Sequence, residues 1–195
     1  MKKSILILFA LCMNLSLAAE VTDSVLFAAY QREDMSVWKN YVDSLSLLHS
    51  FSPSLLTYEY GLCGYMVDRD KAHALPYVKR LNEHVEALKP QLPPGHYQMY
   101  KSAVYVFELR LKESMRPVTA MSMAKDATKL APKDPLVLTY YGTSLFYAPK
   151  PFGSKEEALK WFERADTFFQ DPQWRFCWLR EANTMYIHQC HDKLK

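Results

Sequence analysis

Glycine is the residue this chain most conspicuously lacks, with five in 195 residues. Gly61, Gly64, Gly95, Gly142 and Gly153 are too few and too scattered to build a glycine-rich phosphate cradle or a set of tight strand-connecting turns. Charge of one sign is also missing. The formal net charge is +3 and falls to +1 without Lys2 and Lys3, and the remaining basic residues alternate with acidic ones. That distribution leaves no electrostatic footprint for nucleic acid. No HExxH zinc signature and no GxSxG nucleophile elbow occurs. Carboxylates such as Glu108 and Glu113, or Glu156, Glu157 and Glu163, follow helical surfaces among Lys and Arg neighbours, which reads as solvated faces rather than paired acids and bases in a cleft.

The first residues read as a secretory signal peptide. Lys2 and Lys3 precede the apolar run Ile5 to Met13, and the small-residue stretch Ser16-Leu17-Ala18-Ala19 precedes the first acidic residue, Glu20. The apolar run is too short to cross a bilayer, which takes about 20 such residues. Cleavage after Ala18 or Ala19 is expected, with a domain over 20–195, a periplasmic or secreted location and no stable membrane span. Cys12 does not make a lipidation site, because Leu11 stands where a small residue is required. Three cysteines remain, Cys63, Cys177 and Cys190, an odd number for an oxidising compartment. Cys177 and Cys190, on one helical segment, would lie roughly 20 Å apart, so a bridge needs Cys63 or a break in the last helix.

What the chain has is regular punctuation by proline. Pro53, Pro94 and Pro135 are spaced 41 residues apart and Pro172 follows 37 later. Each stands before or in the first turn of an apolar-periodic run, where its fixed φ and missing N–H cost nothing. Between prolines the pattern divides into two helices: 53–67 with 70–89, 94–113 with 117–131, and 135–147 with 154–169. A more divergent pair occupies 23–31 and 35–49, and 173–190 closes the chain. Asp134 and Ser154 are expected N-caps, the latter followed by Glu156 and Glu157. No segment alternates with period two, so the fold class is all-α.

Ala158, Phe162 and Ala165 share one helix face, and Ala120, Ala124 and Ala127 repeat the spacing ahead of Pro132. Alanines allow close helix approach while the phenylalanine fills the gap. Tyr141-Gly142 and Tyr60-Gly61 supply a small residue in the preceding helices. With Leu138 and Leu145, these residues resemble the tetratricopeptide repeat, closely over 116–169, partly over 53–115 and weakly before that. The loop from Phe146 to Lys155 is similar to the aromatic, proline-containing loop of exported bacterial members. The period of 37 to 41 departs from the family's 34, chiefly through the longer loop Ala148 to Gly153. The resemblance implies a right-handed stack of antiparallel hairpins with a capping helix, an α-solenoid whose first helices line a groove for a protein or peptide. Carried across from Gly142 and Gly61, the groove positions are Thr139, Thr143, Phe146 and Tyr147, and Tyr58, Leu62, Tyr65 and Met66. With Ala103 as the small residue of the middle pair, Tyr97, Tyr100, Val104 and Phe107 join them. No cofactor, metal or catalytic group is implied.

Two other readings compete. A small-ligand-binding accessory protein of a periplasmic transport system would show a closed pocket lined by Tyr and Phe. A metal-dependent enzyme would use His188, Cys190 and His191, but only the two histidines share a helix face. In the aromatic stretch Trp174 to Arg180, Trp178 and Met185 are expected to face inward from a closing helix, with an exposed partner-binding patch as the alternative.

Overall fold

A computed structural model describes residues 24–47 and 52–194. The expected signal peptide and cleavage site lie outside the described residues, as do positions 48 and 49 of the helix expected over 35–49. The described residues are all-helical, without a strand: α1 (24–31), α2 (Met35–Leu47), α3 (Leu56–Arg69), α4 (Leu75–Leu88), α5 (His96–Leu111), α6 (Pro117–Leu130), α7 (Pro135–Tyr147), α8 (Lys155–Phe169) and α9 (Trp178–Leu194). None is long and apolar enough to cross a membrane.

Proline sets the helix starts as its chemistry requires. Pro117 and Pro135 open α6 and α7, Pro76 lies in the first turn of α4, and Pro53 and Pro172 open single 3-10 turns ahead of α3 and α9. Asp134 caps α7, its Oδ1 accepting from the N–H groups of Leu136 and Val137 at 2.9 and 3.3 Å, and Ser154 Oγ accepts from Glu157 N at 3.2 Å. Two helix ends use a left-handed residue that is not glycine. Glu33 (φ 57°) follows α1, with Asp34 N–H reaching Ala29 O. Lys112 (φ 65°) follows α5, with Glu113 N–H reaching Glu108 O.

Each helix from α2 onward packs on the next, and α3 also meets α5, α5 meets α7, and α7 meets α9. The alanine stripes lie in these seams: Ala120, Ala124, Ala127, Ala158 and Ala165 are buried, as is Phe162. Gly142 lets α7 press against the Phe162 ring, and Gly61 lets α3 press against Trp38 and Trp178. Among the described residues Cys63, Cys177 and Cys190 form no disulfide. Burial, with a smaller push from Glu59, holds the Cys63 thiol well above its usual range.

Candidate functional site: an aromatic interior shared by the odd-numbered helices

Tyr60, near the middle of α3, is the hub of the interior. Its ring lies 6.3 Å from Tyr100 and 5.9 Å from Phe107 on α5, 6.0 Å from Tyr140 on α7 and 6.0 Å from Trp178 on α9. Trp178 in turn lies 5.5 Å from Tyr30 on α1 and 5.3 Å from Trp38 on α2. Phe27 on α1 meets Phe176, just before α9, edge-on at 6.4 Å. The path of contacts through α3, α5, α7 and α9 thus returns to the first helix.

At the end of α7 and the middle of α9, Phe146, Tyr147 and Tyr186 form a second group with centroids 5.0 to 6.0 Å apart, and Phe162 stacks on Tyr186 at 5.1 Å. The ammonium groups of Lys155 and Lys193 each sit 4.9 Å from the Phe146 ring. The two groups are electrostatically coupled through their hydroxyls. Burial raises the Tyr60 phenol far above its usual value, with Tyr140 and Tyr147 adding to the shift. Burial does the same to Tyr186, followed by its hydrogen bond with Tyr147 and the fields of Tyr60 and Tyr30. Tyr140 is pushed up to about 12 by burial, although its hydrogen bond to Ser102 pulls the other way. Tyr30 is raised by burial, then by Glu181 and Glu33. These phenols stay neutral at physiological pH, so the interior offers aromatic faces and hydroxyl groups without charge.

Most of the groove positions expected from the sequence are buried: Tyr58, Leu62, Met66, Tyr100, Val104, Phe107, Thr139 and Phe146. Tyr58 packs edge-on against Trp38 and Tyr41 on α2, and Thr139 Oγ1 donates to Asn183 Oδ1 on α9 at 3.0 Å. Tyr97 is half-buried on the other side of α5, its hydroxyl 3.3 Å from both Glu86 carboxylate oxygens with Lys89 over its ring. Thr143 is half-buried and donates to Thr139 O. Only Tyr65 and Tyr147 present wide surface, 41% and 66% exposed. Met185 also departs from expectation: it is exposed while Trp178 is buried. The buried arc of α9 runs through Leu179, Ala182, Asn183 and Cys190 with half-buried Tyr186 among them, so Trp178 sits at its edge and Met185 about 20° beyond, at 100° per residue.

Sequence reading missed Tyr30, Tyr60, Tyr140, Trp178 and Tyr186 as members of one interior. It also missed Glu59, a fully buried carboxylate that accepts from Arg80 Nε at 2.9 Å and pairs with His84 Nδ1 at 2.8 Å. Arg80 continues to Asp43 at 2.8 Å and Asp43 to Lys39 at 2.9 Å, tying α2, α3 and α4 together. Burial alone would raise Asp43, but Arg80 and Lys39 hold its carboxyl below the usual range. Likewise His96 Nε2 pairs with Asp134 Oδ2 at 2.8 Å and links the starts of α5 and α7. Among the described residues no three His, Cys, Asp or Glu side chains come together as metal ligands, and His188 and His191 lie on exposed turns of α9.

Comparisons with protein-family models, with curated proteins and with solved structures find no match for this chain.

Proposed function

We propose that this is an exported, non-catalytic binding protein, built as tetratricopeptide-like hairpins, that holds a protein or peptide segment on the tyrosine-rich face shared by its odd-numbered helices. The observation that carries the reading is the set of ring contacts that joins Tyr60 to Tyr140 and, through Trp178, to Tyr30, and Tyr147 to Tyr186, bringing tyrosines from four helices into one aromatic interior. Tyrosine combines large apolar area with a hydrogen-bonding tip at a cost of two side-chain torsions, which is why binding surfaces favour it. The alternation in which α3, α5, α7 and α9 pack on one another supports the hairpin-stack arrangement. Export to the periplasm or beyond follows from the N-terminal segment.

One observation favours a second reading, a small-ligand-binding accessory protein of a periplasmic transport system. Phe27 and Tyr30 meet Phe176 and Trp178, an aromatic cluster of the kind that lines an apolar ligand pocket. Affinity capture from envelope extract with protein beginning at Glu20 separates the two. A protein or peptide retained by the wild type and lost with Tyr147→Ala supports the first, whereas a co-purifying small molecule with no protein supports the second.

A further inference from the structure

The first helix is short, spanning 24–31, and its contacts have an unusual division of labour. Leu26 and Ala29 are buried, and the Leu26 carbonyl accepts the indole N–H of Trp38 at 2.7 Å, so α1 is fastened to α2. Its rings reach the start of α9 as well: Phe27 lies against Phe176, and Tyr30 lies between Trp178 and Trp38, stacked on the latter at 5.8 Å.

Two features make this closed arrangement costly to maintain. Trp178 is more than nine-tenths buried at the α1 boundary, yet its Nε1–H has no hydrogen-bond partner. An indole nitrogen only donates, so nothing in this packed arrangement compensates its desolvation. The turn that leads out of α1 holds Glu33 at φ 57°, a left-handed conformation that glycine adopts freely and a glutamate does not. The Tyr60 ring, 6.0 Å from Trp178, lies behind the same contact.

From these contacts we infer that α1 is a latch: it opens from α9 while the rest of the fold stays intact, and opening exposes the Trp178 N–H and the Tyr60 ring. The latch regulates the face assigned above to binding and rests on that reading for its purpose, but its opening is a property of the free protein. A partner with an exposed acceptor, such as a backbone carbonyl of an extended segment, would satisfy the indole in the open form.

Native-state hydrogen exchange on protein beginning at Glu20, followed by peptide mass spectrometry, tests the latch without a partner. Amides of 24–31 are expected to exchange at least about 100-fold faster than the slowest amides of α3 and α7, because they open by a smaller, separate step. Phe27→Ala should speed exchange in α1 by about tenfold and Glu33→Gly should slow it, each leaving the α3 and α7 amides in place relative to one another. Exchange of α1 only at the rate of the slowest α3 and α7 amides, moving with them in both variants, would overturn the latch. A latch that opens as expected, in a protein for which Phe27→Ala changes the association rate of no captured ligand, would leave the device standing and remove the binding assignment of the face.

Discussion

Gly142 on α7 lies directly under the ring of Phe162 on α8, so close that a Cβ at position 142 would come within 2.7 Å of Cε1 and 2.8 Å of Cδ1. The ring cannot retreat, because its other face stacks on Tyr186 at 5.1 Å with planes 8° apart. Gly142→Ala should therefore destabilise by about 1–2 kcal/mol, overpacking outweighing the roughly 1 kcal/mol that alanine gains in helix propensity. Urea unfolding monitored by circular dichroism reads the change; a variant as stable as wild type would mean that the α7–α8 seam is looser than described.

The same seam contains Ala165, which has no exposed surface. Ala165→Trp adds a bicyclic ring where there is no void and should cost at least about 1–3 kcal/mol. Thermal unfolding checks this, and an unchanged midpoint would remove Ala165 from the packed stripe.

Glu59 and its partners set up a graded comparison. Arg80→Met leaves a fully buried carboxylate with His84 alone and should destabilise by about 3–5 kcal/mol. Lys39→Met removes the outermost, solvent-screened link of the same chain of charges and should cost less than about 1 kcal/mol. Denaturant midpoints of the two variants check the ordering; equal effects would show that Glu59 does not depend on Arg80.

Glu33→Gly and Lys112→Gly should each stabilise by up to about 1 kcal/mol, since both positions hold left-handed backbone after a helix and glycine carries no Cβ penalty there. Differential scanning calorimetry of the single and double variants checks both the sign and the additivity expected of distant sites.

The tyrosines give the fold a base-sensitive edge. A phenol whose folded-state pKa is raised stabilises the fold fully below the unfolded value near 10, and that contribution is lost as pH rises through the folded value. Tyr140, raised to about 12, and the further-shifted Tyr60 and Tyr186 therefore make stability fall between pH 10 and 12. Ultraviolet titration should show Tyr60, Tyr140 and Tyr186 ionising together with unfolding, above the ordinary phenol range. A single transition near pH 10 for all tyrosines would contradict their burial.

Helix limits were legible where proline, caps and small residues act locally. The limits expected for the first helix of the third pair, 135–147, coincide with α7, and the alanine stripes fall in the seams. Which side of each helix meets the shared interior was not legible, for a physical reason. Ten residues of α7 are buried, from Pro135 to Phe146, so its hydrophobic pattern surrounds the helix and does not say which side faces the shared interior. On α3 positions 58, 62 and 66 flanking Gly61 are buried, and Tyr60 meets Tyr140 and Trp178. Glu59 was invisible in sequence because its burial depends on Arg80 and His84, more than 20 residues away. Met185 was misplaced because a heptad spacing from Trp178 ignores that Trp178 sits at the margin of the buried arc.

The binding role of the tyrosine face is tested most directly by isothermal titration of the captured partner, or of its contacting peptide, into three proteins: wild type, Tyr147→Ala and Val118→Ala. Tyr147 and Val118 are 66% and 69% exposed, so neither truncation should unfold the chain, but only Tyr147 touches the interior group through Tyr186. Tyr147→Ala is expected to weaken binding at least about tenfold, the loss of a contact worth about 1.4 kcal/mol, with Val118→Ala unchanged. Equal affinity for wild type and Tyr147→Ala, or a loss confined to Val118→Ala, would place the partner on another surface and contradict the assignment.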